Sequence, residues 1–172
     1  MIQIVITVTG LLAAAFFDWN SRRIPNSVTF TMIVLGLIVN FMDRGAFGIS
    51  TSLAGLGLGL LLLVIPFAAG GVGAGDVKLL AAVGSLLGPD FALKAFLASA
   101  VFGGLFSIIV AVRQKTLGKT FQGVKDRILY LILTRKVPQE ERGDTMKPLG
   151  IPYAFAIGFG TLCTLFLFWK GG

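Results

Sequence analysis

The chain has 172 residues, 55% of them hydrophobic and only 13% charged, with a mean hydropathy of +0.88 and a formal net charge of +7. A soluble domain carries about 45–50% apolar residues and about 25% charge, so this balance excludes a soluble enzyme, a coiled coil or a disordered tail and points to lipid as the main solvent. With no His and a single Cys, Cys163, it cannot build His/Cys metal sites, Ser-His-Asp triads, Cys-His dyads or a disulfide framework.

A transmembrane helix needs roughly 20 apolar residues, with about 17–25 as the working range. Six apolar segments follow one another: Ile2–Phe17, Val28–Met42, Ile49–Ala69, Val77–Gly88, Phe91–Val112 and Ile151–Trp169. The first, third, fifth and sixth reach spanning length, whereas the second and fourth are short. At about 1.5 Å rise per residue, a helix the length of the fourth covers about 18 Å of a ~30 Å hydrocarbon core. It is therefore expected to be half-buried, extended at its ends, or placed where the bilayer thins. Ala13-Ala14-Ala15 imitates a signal-peptide cleavage site, but no Lys or Arg precedes that stretch, so the first segment is read as a retained helix. The expected fold class is all-α: a polytopic membrane protein of six transmembrane helices, one integral-membrane domain over residues 1–172, with a basic cytoplasmic loop at 113–148.

Charge sets the orientation. Arg22 and Arg23 follow the first segment, Lys78 flanks the turn before the fourth, and nine further cations lie between Arg113 and Pro148. In a six-helix chain these twelve of the fifteen Lys/Arg fall on one side, leaving Arg44, Lys94 and Lys170 on the other. The positive-inside rule then puts the loops in the cytoplasm and both termini outside, in the cell's inner membrane. A basic surface against an anionic leaflet accounts for the net charge, so no nucleic-acid partner is expected. Within the long loop Phe121, Val124, Ile128, Leu131 and Ile132 recur at helical spacing among Lys125, Arg127 and Arg135, as in an interfacial amphipathic connector.

Of the eight acids, Asp43 and Asp90 fall in outer loops, and Asp126, Glu140, Glu141 and Asp144 fall among the loop cations. Asp18 and Asp76 differ. Asp18 ends the first helix after Phe16-Phe17, and Asp76 opens the fourth after Gly70-Gly71-Val72-Gly73-Ala74-Gly75, at the same face although 58 residues apart. A carboxylate at membrane depth costs about 2.5–3.5 kcal/mol at a helix centre and usually faces protein or water. Taken singly, Asp18 pairs with Arg22 four residues on and Asp76 caps the fourth helix. Capping alone does not call for so many glycines; their clearance suits an extended peptide beside Asp76, at Gly73 and Gly75.

These residues carry a resemblance. Asp18-Trp19-Asn20-Ser21-Arg22-Arg23-Ile24-Pro25-Asn26 resembles the first aspartate motif of the type IV prepilin peptidase family, and Gly73-Ala74-Gly75-Asp76-Val77-Lys78-Leu79 its Gly-x-Gly-Asp motif. Gly-x-Gly-Asp alone is a weak signal; two motifs in this order on one face are a strong one. Ile151-Pro152-Tyr153-Ala154-Phe155-Ala156-Ile157 is similar to the family's final helix. The resemblance implies an intramembrane aspartic endopeptidase that removes short basic leaders from pilin-like precursors at the cytoplasmic face. Longer bacterial members add a four-cysteine zinc site and N-methyltransferase activity. This chain begins directly in a helix and has one Cys, so that zinc site is not expected and methylation is not implied. Its compact form resembles the peptidases of tight-adherence (Flp) pili, with the archaeal preflagellin peptidases as the alternative.

Two carboxylates a few ångströms apart share one proton near neutral pH: the ionised member activates water, and the protonated one serves the scissile carbonyl and the leaving amine. No metal or cofactor is required. Lys78, two residues past Asp76, is off its helical face and is expected to snorkel to the headgroups, or else to stabilise charge near the pair. Asn26 is expected either to cap the second helix or to bond substrate backbone. Two readings from other classes are a carboxylate-pair ion or proton transporter, which calls for acids nearer mid-membrane, and a non-catalytic assembly factor with Asp18 paired to Arg22 or Arg23. The sequence does not set the oligomeric state.

Overall fold

The computed structural model describes residues 1–21, 23–68, 71–113 and 153–169. Among them the chain is all-helical: α1 (Ile2–Ser21), α2 (Asn26–Arg44), α3 (Ala46–Ala68), α4 (Ala74–Leu87), α5 (Pro89–Arg113) and α6 (Tyr153–Trp169). Arg22, with its expected pairing to Asp18, lies outside the described residues. So do residues 114–152, which include the amphipathic segment Phe121–Arg135 and nearly all of the basic loop.

The described part of each apolar segment falls in one of these helices, with Gly88 closing α4 as its C-cap, but α2 is longer than its apolar run. It extends over 19 residues because Asn26 and Ser27 at one end, and Asp43 and Arg44 at the other, continue the helix as exposed polar turns. Pro25 stands at its N-cap with φ −61° and ψ 135°, a backbone the pyrrolidine ring already favours. Arg44 in the last turn suits the negative end of the helix dipole. Two glycines with positive φ make the tight reversals. Gly45 (φ 59°) donates its N–H to the Phe41 carbonyl and turns α2 into α3. Gly88 (φ 88°) does the same to Gly84 before Pro89 starts α5.

The fourth helix is the hub. It packs against all five others, and from Asp76 to Leu86 every residue but Lys78 is buried. The short fourth run is extended at its start, where the helix begins at Ala74, and its neighbours are the other helices. Close packing comes from small residues. Gly48, Ser52, Gly55 and Gly59 form the buried face of α3, and a Cβ at Gly55 would collide with the Gly84 carbonyl of α4. Backbone-to-backbone approach of this kind is how helices associate where water supplies no hydrophobic drive.

Polarity is inverted accordingly. Thr7, Asn40, Ser52, Ser85, Ser99 and Thr161 are buried, whereas Phe16, Phe30, Phe47, Leu61, Ile65, Phe166 and Leu167 lie on the outside. That much exposed apolar side chain is not tolerated by a monomer in water. Among the described residues three helices, α1, α2 and α3, are long and apolar enough to cross a membrane.

The bundle has two polar ends. At one, Gln3 donates to Asn40 Oδ1 at 2.9 Å. Asn40 in turn donates through Nδ2 to Ser52 Oγ (2.8 Å) and to the Ser85 and Leu86 carbonyls (3.1 and 3.2 Å). Those carbonyls belong to the last turn of α4, where helical partners run out, so a side chain of α2 caps α4. The other end, where α1 finishes and α2 and α4 begin, holds the aspartates.

Candidate active site

Asp18 lies in the last turn of α1 and Asp76 in the first turn of α4. Both are nearly sealed from solvent, at 9% and 8% exposure, yet both line one cavity of about 330 Å³ together with Arg23, Ile24, Asn26, Gly73, Ala74, Gly75 and Lys78. Each carboxylate lies within the other's electrostatic reach.

Local structure around Asp76 follows from the glycine turn. Gly73 is the N-cap of α4, with φ −80° and ψ 155°, and its carbonyl accepts the first backbone bonds, from Asp76 and Val77. Asp76 is therefore the third helical residue, not the cap itself. Its Oδ2 reaches back to accept the Gly73 N–H at 3.1 Å, satisfying one of the donors a helix start leaves over. One carboxylate oxygen is thereby fixed, which sets the direction in which the group faces the cavity.

The glycines are placed differently from one another. Gly73 is exposed, and a Cβ there would lie 3.2 Å from Asp76 Oδ2. The clearance at Gly75 is taken by this chain: a Cβ there would lie 3.2 Å from Cβ of Ile24, in the α1–α2 turn. Asn26 is the first residue of α2, one past its N-cap Pro25. Its Oδ1 accepts from Lys78 Nζ at 2.9 Å, across 52 residues of sequence. Lys78 is exposed, but its ammonium bends over the cavity toward α2.

Sequence reasoning did not find Arg23 or Ile24 as cavity walls. Ile24 stands beside Pro25 in a quoted motif, and that adjacency was the available signal. Trp19, next to Asp18, meets Phe155 edge-on with ring centroids 6.0 Å apart and so ties the end of α1 to α6. Among the described residues no three His, Cys, Asp or Glu side chains gather as a metal site would need.

Two acids of different helices in one cavity, with cations at its wall, can divide acid and base roles between them. A family model described as the type IV leader peptidase family matches residues 5–108, which is more than half of the chain and includes both aspartates. The chain belongs to the type IV leader peptidase family. The family match stops short of the Ile151–Ile157 stretch. Among curated relatives, the preflagellin peptidase of Methanocaldococcus jannaschii is 33% identical over 97 residues, covering 51% of this chain and 38% of the relative. The prepilin leader peptidase/N-methyltransferase of Neisseria gonorrhoeae is 31% identical over 115 residues, covering 63% and 40%. The chain thus matches about two-fifths of the length of each. No solved structure matches it.

Proposed function

We propose that this chain is an intramembrane aspartic endopeptidase that removes short basic leaders from type IV pilin-like precursors, with Asp18 and Asp76 as its catalytic pair. The observation that carries the reading is that aspartates of two separate motifs line one cavity at one end of the bundle. In the proposed reaction the ionised member takes a proton from a water, whose oxygen attacks the scissile carbonyl carbon. The protonated member hydrogen-bonds the carbonyl oxygen, and the C–N bond breaks as the leaving nitrogen gains a proton. The pair titrates as a unit. Water is the only co-reactant, and no cofactor is involved. Gly73, the exposed glycine, is where an extended substrate would pass. With one Cys there is no four-cysteine zinc site in this chain, and methyl transfer is not part of the proposal.

The reading carries a topology: a six-helix bundle in the inner membrane, both termini outside, the cavity and the Arg113–Pro148 segment in the cytoplasm, where twelve of the fifteen cations then lie. A reporter fused near Gln139 should signal from inside; an outside signal would overturn the shared cytoplasmic face. A transporter is disfavoured, because Asp18 and Asp76 sit at helix ends and not along a path through the bundle.

The test of function is co-expression with a precursor and a gel for leader removal. The unmodified chain should shorten the precursor. Asp18→Asn and Asp76→Asn should each stop it, with the double variant hardly worse than either single one. Asp126→Asn and Asp144→Asn should cleave normally. A rate near that of the unmodified chain in either Asp18 or Asp76 variant would end the proposal. The Flp-type pilin is the first precursor to try. The preflagellin alternative is favoured by the 33% identical relative, so a preflagellin should be offered in parallel, and the faster cleavage decides.

A further inference from the structure

The distance between the two aspartates is not set by the aspartates. Asp18 leaves α1 toward the turn that contains Ile24 and ends at Asn26, while Asp76 belongs to α4; how that turn sits on α4 decides how the carboxylates meet. Two contacts seat it, one on each side of Asp76. Before it, Ile24 packs onto the bare backbone of Gly75, where a Cβ would come within 3.2 Å. After it, Lys78 Nζ donates to Asn26 Oδ1 at 2.9 Å. Ile24 sets how near the turn comes; the Lys78–Asn26 bond holds it there.

We propose that Lys78 and Asn26 form a clasp that positions Asp18 and Asp76 for the reaction, acting through the seating of the α1–α2 turn on α4. The proposal rests on the peptidase reading of the two aspartates. Asn26 is the first residue of α2 and not its cap, which is Pro25, so its side chain is available to Lys78, and a lysine serving only to snorkel would extend its ammonium away from the cavity to the headgroups. Both residues are exposed, and exposed polar pairs contribute little to folding stability. A defect on breaking the clasp should therefore appear in the rate and not in the amount of folded protein. Misplacing a catalytic group by about an ångström lowers a rate by as much as about a hundredfold.

Lys78→Met and Asn26→Ala should each lower kcat for leader cleavage about tenfold or more, with KM changed less than about twofold because substrate contact is not what is lost. The double variant should be no slower than the slower single one, the signature of one shared interaction. Lys78→Arg, which keeps a cationic donor of similar reach, should recover most of the rate. A second measurement needs no activity. In a Cys163→Ala background, Ala74→Cys at the cavity wall should react severalfold faster with a membrane-impermeant thiol reagent once Lys78→Met or Asn26→Ala opens the clasp. If the unmodified chain cleaves no precursor, the peptidase reading has failed and the labelling still decides the clasp. Unchanged labelling overturns the clasp. So does a normal kcat in Asn26→Ala beside a slow Lys78→Met, which would mean that Lys78 acts alone. A change confined to KM overturns it as well.

Discussion

Replacing Asp76 by Asn and by Ala separates its part in the helix from its part in the chemistry. In the fold, Asp76 Oδ2 accepts the Gly73 N–H at 3.1 Å. Asn retains a carbonyl oxygen for that bond and gives up only the charge near the positive end of α4, an effect of about 0.3–1 kcal/mol. Relief from holding a buried charge offsets part of it. Ala loses the bond too, and losing a terminal cap costs about 0.5–2 kcal/mol. Catalysis has a different scale. Removing one member of a catalytic unit lowers kcat by about 10,000-fold or more, which at about 1.4 kcal/mol per tenfold is roughly 5–6 kcal/mol of barrier. Stability should therefore fall in the order unmodified, Asn, Ala by steps of a kcal/mol or so, while both variants are equally inactive. Thermal unfolding in detergent, beside single-turnover leader cleavage normalised to folded protein, reads the two quantities separately. If Asp76→Asn cleaves in proportion to its folded fraction, Asp76 is a helix-start residue and nothing more.

Other substitutions test the frame around the pair. Gly75→Val must push Ile24 off α4 and should lower cleavage at least about tenfold with little loss of folded protein; normal cleavage would deny that this contact seats the turn. Gly55→Ala puts a methyl against the Gly84 carbonyl and should cost about 1–3 kcal/mol, as overpacking does; an unchanged melting temperature would refute the close approach of α3 and α4. Asn40→Leu strips the Ser85 and Leu86 carbonyls of their side-chain donor and should cost about 2 kcal/mol or more. Cleavage per folded molecule should stay normal, since Asn40 lies at the far end of the bundle; a selective loss of cleavage would show that the two ends are coupled.

What the sequence made legible is what local chemistry dictates. Among the described residues each apolar run marked a helix, because helices packed with little water between them satisfy their backbone internally and carry apolar side chains outside. Asp18 and Asp76 stood out because acids at membrane depth need a reason. The ends of α2 were misjudged, since polar residues such as Asn26 and Arg44 look like loop when they sit at the water-facing ends of a membrane helix. Asp76 fell three residues inside α4 instead of at its cap, because the helix starts from the backbone of Gly73, which no side-chain pattern announces. The link from Asn26 to Lys78, the cap from Asn40 to Ser85 and the seat of Ile24 on Gly75 each join residues 45 or more positions apart. Periodicity carries no information about such pairs. Glycine clearance at Gly75 was visible as clearance, but not which neighbour would fill it.

The buried position of α4 also has a consequence for how the chain is made. Among the described residues α1, α2 and α3 are long and apolar enough to cross a membrane, and all three precede α4 in the chain. The short fourth helix, 14 residues long with a carboxylate in its first turn, follows in the chain the residues it packs on, Asn40 of α2 and Gly55 and Gly59 of α3. Chain order thus leaves α4 to be made after the two helices it packs on most closely, and in the finished bundle Asp76 is shielded by protein.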